Sequence, residues 1–91
     1  MIVTDKLIVC VAICGSFLGK DANPNIPTNP KEIAEEVYRS WNEGASMAHI
    51  HARDKEGLAT TNPEVFREIA RLVREKGCDV VLEFSTSPGR E

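Results

Sequence analysis

His49 and His51 are the only histidines in the chain, and a single residue separates them. Side chains alternate across an extended segment, so this spacing aims both imidazoles the same way. Two neutral imidazoles held side by side suit zinc or a similar divalent ion. A pair does not close such a site, and a further carboxylate or histidine has to come from elsewhere. The same pair also reads, without metal, as two histidines hydrogen-bonded at a strand end. Arg53 and Asp54 follow at once. They read as support, with Asp54 accepting from an imidazole N–H and Arg53 anchoring an anion, or as a surface ion pair at the start of a loop.

Further on, Ser85-Thr86-Ser87-Pro88-Gly89 offers hydroxyls and backbone N–H groups to a carboxylate or phosphate, or forms a plain polar turn. It lacks the glycine run and Lys-Ser/Thr ending of a Walker loop. With both histidines already placed together, none is left to activate Ser85 as a nucleophile. Glu83 lies just before this loop, with Leu82 and Phe84 on the other face of its strand. It reads as a catalytic carboxylate or as the ion-pair partner of a residue on a neighbouring strand.

The elements that must hold these residues come from an internal repeat. Thr28-Asn29-Pro30 returns as Thr61-Asn62-Pro63, and each proline is followed 14 residues later by a glycine, Gly44 or Gly77. The asparagines suit helix N-caps, the prolines the first helical position, and the glycines the turn past a helix end. Glu32 completes an Asn-x-x-Glu capping box. Between these signals Ile33, Ala34, Val37, Tyr38 and Trp41 form one apolar face, and Phe66, Ile69, Ala70 and Val73 another. Tyr38 and Trp41 belong to packing, not to a cofactor box. Helices are therefore expected over about 30–43 and 63–76, with strands over about 7–14, 47–51 and 80–84. The first strand, Leu7–Cys14, is apolar throughout, as for a strand buried on both faces. The βαβαβ order implies parallel pairing with right-handed crossovers, in an open doubly wound sheet or a (β/α) barrel. The long strand-to-helix loops, Gly15–Asn29 and Ala52–Asn62, lie where both folds place their sites.

With 91 residues the chain is one small unit of expected marginal stability, 1–91 forming a single partial domain. A net charge of −3 argues against nucleic acid or an anionic membrane as partner. Cys10, Cys14 and Cys78 are an odd set without CxxC spacing, which points to free thiols and a cytoplasmic setting. The apolar run after Lys6 is too short to span a bilayer, and it reads as a strand in preference to a signal peptide.

Taken together, Lys6–Val9, Ala12–Gly15, Asn23-Pro24-Asn25-Ile26-Pro27, Pro30–Ala34, Gly44-Ala45, His49-Ile50-His51-Ala52-Arg53-Asp54 and Phe84-Ser85-Thr86 resemble the β-keto acid cleavage enzyme family, over nearly the whole chain. The resemblance implies the N-terminal βαβαβ portion of a TIM barrel, with zinc at the carboxyl end. It implies acyl exchange between a β-keto acid and acetyl-CoA, giving acetoacetate and a new CoA thioester. His49 and His51 match the family's zinc ligands, and Ser85, with Thr86 beside it, matches the serine that holds the keto acid's carboxylate. Phe17 stands where many members carry a glutamate for the substrate's amino group, which implies a keto acid with an apolar or otherwise different end. Ser87-Pro88 replaces the family's Gly-Gly. A barrel takes about 250 residues, and the family's third ligand, a glutamate, and its catalytic arginine lie beyond the third strand. The isolated chain is thus expected to be weakly stable and inactive, as a truncated or split piece or a remnant. The full-length form is expected to be a homo-oligomer, and a separate chain to need the missing barrel half. The rival expectation is a small α/β metal-binding or interaction module without catalysis.

Overall fold

The computed structural model describes residues 5–87. Its elements run β1 (Cys10–Ala12), α1 (Pro30–Asn42), β2 (Met47–Ile50), β3 (Ala52–Arg53), β4 (Ala59–Thr60), α2 (Pro63–Glu75) and β5 (Val81–Phe84). Three strands form a parallel sheet in the order β1-β2-β5, so β2 is central and the sheet grows in one direction along the chain. The register sets Ala12 beside His49, and His49 beside Glu83.

Both helices begin as the repeated motif dictates. Asn29 accepts from the Glu32 backbone N–H at 2.8 Å, and the Glu32 carboxylate accepts in return from the Asn29 N–H at 3.5 Å. The same carboxylate takes the Thr28 N–H at 3.1 Å and the Lys20 ammonium at 2.9 Å. Asn62 caps α2 by accepting from the Glu64 N–H at 3.0 Å. Each helix runs 13 residues from its proline. Gly44, at φ 114°, and Gly77, at φ 74°, then turn the chain through backbone conformations that a Cβ disfavours.

The period of β2 divides the molecule. Ala48 and Ile50 are fully buried and meet Ile33, Ala34 and Val37 of α1 and Phe66, Ile69 and Val73 of α2. Both helices therefore cover the same face of the sheet. Met47 and His49 alternate with these residues onto the face the helices leave uncovered. Burying one such Ile or Val side chain is worth roughly 1.5–3 kcal/mol, so this face decides the register. Phe84 joins from β5, its ring 4.8 Å from that of Phe66. Trp41 packs partly against the core and donates its indole N–H to Asp79 at 3.2 Å.

Two expectations change. The first strand is shorter than Leu7–Cys14 and is not buried on both faces: Leu7 is 87% exposed and Ile8 71%. Among the described residues β1 is an edge strand that pairs with β2 alone, and Val11, Ile13 and Cys14 pack partly against the core. The loop after β2 is not irregular throughout, because β3 and β4 pair as a short antiparallel hairpin. Among the described residues no helix is long and apolar enough to cross a membrane.

Asn29→Ala should lower stability by about 1 kcal/mol, read from the urea midpoint, with Asn62→Ala similar. The Glu32 carboxyl is held below its usual range, chiefly by the Lys20 hydrogen bond and then by the Thr28 N–H. Because the folded value is the lower one, its stabilisation is present above the ordinary carboxylate pKa of about 4.3 and is lost as pH falls through the folded value. Glu32→Gln should flatten that stretch of the stability–pH curve; an unchanged slope would exclude this linkage.

Candidate functional site

The carboxyl end of the sheet gathers the residues with chemistry. His49 is on β2 and His51 just beyond it, their ring centroids 5.1 Å apart and their planes at 71°. They share one side of the extended segment, as their spacing requires. The His49 Nδ1 meets the Glu83 carboxylate directly across the β2–β5 ladder. Of the two roles open to Glu83, the structure therefore shows the cross-strand partner. A carboxylate on one ring nitrogen orients the imidazole and leaves the other nitrogen free to act as a lone-pair donor.

His51 differs. Its Nδ1 is buried and has no hydrogen-bond partner among the described residues. Burial is the main cause that pushes its pKa below the ordinary histidine value; the neighbouring His49 and Arg53 charges add to it, and a backbone contact with Ser87 opposes it. The shift favours the neutral ring, the state a metal ligand needs, and the ring carries an orphaned buried nitrogen, which costs free energy unless something takes it. On both counts the histidines fit a divalent ion. Among the described residues, no group of three or more His, Cys, Asp or Glu is arranged to hold one.

Ser85 follows β5. Its backbone N–H continues the ladder to the Ile50 carbonyl at 2.8 Å, and its hydroxyl accepts from the Ser87 N–H at 3.2 Å. The half-buried Ser85 is thereby held in a tight turn beyond Glu83, and Thr86 beside it is exposed. Pro88 and Gly89, the rest of that expected loop, lie outside the described residues. Phe17 is not brought to the histidines. It is 70% exposed and lines an open groove of about 570 Å³ with Lys20, Lys55 and Leu58.

Arg53 and Asp54 match neither of their expected roles. Asp54 accepts through Oδ1 from the backbone N–H groups of Glu56 and Leu58, both at 2.9 Å, and so closes the β3–β4 hairpin. Arg53 is 2% exposed and forms no ion pair among the described residues. Its guanidinium donates to the carbonyls of Leu18 at 2.8 Å, Gly57 at 2.7 Å, Gly15 at 3.0 Å and Cys14 at 3.3 Å. Sequence reasoning missed this carbonyl cradle. The available signal was the spacing itself, since His49, His51 and Arg53 fall at alternate positions of one extended run.

Residues 6–91 match a family model described as beta-keto acid cleavage enzyme. A 3-keto-5-aminohexanoate cleavage enzyme of Fusobacterium nucleatum subsp. nucleatum is 40% identical over 82 residues, which is 90% of this chain and 30% of that protein. A 3,5-dioxohexanoate:acetyl-CoA acetone transferase of Paraburkholderia graminis is 32% identical over 82 residues, 89% of this chain and 26% of that protein. A 3-oxoadipate:acetyl-CoA acetyltransferase of Cupriavidus necator is 28% identical over 83 residues, 91% of this chain and 29% of that protein. The chain thus spans less than a third of the length of these relatives.

Asp54→Ala should speed amide exchange at Glu56 and Leu58 while leaving the amides of α1 and α2 unchanged, because the lost acceptor serves the hairpin alone. Exchange that rises equally in the helices would show that Asp54 supports the whole fold.

Proposed function

The chain belongs to the β-keto acid cleavage enzyme family, and on that premise we propose that it supplies the first part of a TIM-barrel active site for acetyl-CoA-dependent cleavage of a β-keto acid. The products are acetoacetate and a new CoA thioester. One observation carries the reading: the two histidines of the family stretch stand 5.1 Å apart on one side of β2, in a chain that matches the family model over residues 6–91. The barrel is supported by a parallel sheet that grows in one direction with both helices on one face. A doubly wound sheet would instead reverse at a switch point.

His49 and His51 would hold zinc or a similar divalent ion. Bound there, it supplies a Lewis acid for the keto oxygen. The chain's own residues prepare the rest. Glu83 fixes the His49 ring, and burial favours the neutral form of His51. The Ser85 hydroxyl, oriented by the Ser87 N–H, is assigned to the keto acid's carboxylate, with Thr86 next to it. Phe17 sets the character of the substrate's far end, which is apolar or carries a group other than an amine. The third ligand and the catalytic arginine come from the remainder of the barrel, and the full-length enzyme is a cytoplasmic homo-oligomer.

A chimera in which this chain replaces the matched segment of the Fusobacterium nucleatum relative tests the reading. It should bind zinc at one tight site and release acetoacetate from acetyl-CoA and a β-keto acid. His49→Ala or His51→Ala should remove both activities, and Glu83→Gln should weaken zinc binding by about 10-fold or more. Zinc affinity that survives both histidine substitutions would reject the assignment. Phe17→Glu should shift preference toward an amine-bearing keto acid.

A further inference from the structure

Arg53 is the one buried charged or polar side chain among the described residues. An unpaired buried charge is very costly unless hydrogen bonds compensate it. Here the compensation comes only from peptide carbonyls, and they belong to two separate loops. Nε and Nη2 both reach Gly15, and Nη2 also reaches Cys14 and Leu18. Nη1 reaches Gly57 in the β3–β4 hairpin. Such a set needs a planar, forked cation; a lysine ammonium is a compact point with three donors. Gly15 adopts φ 65°, so the chain turns through a left-handed conformation where its carbonyl is held. Cys14, at the start of the same segment, donates its thiol to the His51 carbonyl at 3.6 Å.

We propose that Arg53 is a positioning residue: its guanidinium fastens the Cys14–Leu18 segment, Phe17 included, and the β3–β4 hairpin to the histidine-bearing end of β2. The inference rests on that end being the reactive one, and it deepens that reading by naming what sets the place of the first loop. Phe17 and Leu58, which line one groove, are then held in register by one side chain beneath them. Their separation then follows from the fork of Arg53, which binds carbonyls of both loops.

The three free cysteines provide the test, since Cys14 is half-buried and its carbonyl is bound by Arg53, whereas Cys78 lies in the core. Arg53→Lys keeps the charge beside the Cys14 thiol and removes the fork. Iodoacetamide labelling, followed cysteine by cysteine by mass spectrometry, should run about 10-fold faster at Cys14 and unchanged at Cys78. Carbethoxylation of His51 by diethyl pyrocarbonate should quicken in parallel. Unchanged Cys14 labelling overturns the proposal, as does Cys14 and Cys78 accelerating together, which would mark a general stabiliser. In the unmodified chain, the Cys14 thiol and the Leu58 amide should open with the same urea dependence, because the guanidinium ties the Cys14–Leu18 segment to the hairpin in which Asp54 holds that amide. Independent openings there overturn the proposal whether or not the lysine variant folds. None of these readouts uses zinc, acetyl-CoA or a keto acid, so failure of the proposed activity would be seen separately.

Discussion

The alternation of side chains along one central strand governs this molecule. β2 has a neighbour on each edge, and its even and odd positions face different surroundings. Ala48 and Ile50 go down into the helices and are fully buried. His49 goes up, and His51 continues its line. A slip of one residue would send the imidazoles into the apolar core and the isoleucine out of it. The burial that stabilises the fold is therefore the same constraint that presents the two rings together.

The helices fasten that strand in place through a unit used twice. Each begins on an Asn-Pro pair and ends before a glycine that only a left-handed turn requires. The first copy is elaborated. Glu32 gathers the Asn29 and Thr28 N–H groups and the Lys20 ammonium, and Lys20 in turn donates to the Ile26 carbonyl at 2.9 Å. The helix cap thus also ties down the end of the long first loop. Before the second copy the loop is already closed by the β3–β4 hairpin, and there Thr60 and Asn62 complete the turn locally.

Charge is handled differently at each level of the carboxyl end. Glu83 and His49 meet where solvent still reaches both. Partial burial pushes the His51 pKa down and so favours its neutral form. Arg53 forms no ion pair among the described residues, and backbone carbonyls take the carboxylate's role. Peptide carbonyls can stabilise a guanidinium without adding a formal negative charge near the imidazoles.

Much of the frame is legible from residue order, because the forces behind it are local. Asn-Pro before an amphipathic run and glycine after it signal a helix through orphan N–H groups, a fixed φ and a left-handed turn, all within a few residues. The shared direction of His49 and His51 is local too, a consequence of extended backbone. What the sequence left undecided was decided by contacts between distant segments. The exposure of Leu7 and Ile8 depends on what lies across an edge strand. The choice of His49 as the partner of Glu83 depends on a register between strands 34 residues apart in the chain. Arg53 reads alone as an anion anchor or a surface ion pair. It becomes a clamp only when the fold brings four carbonyls from two loops around it, and no local pattern encodes where carbonyl oxygens will converge.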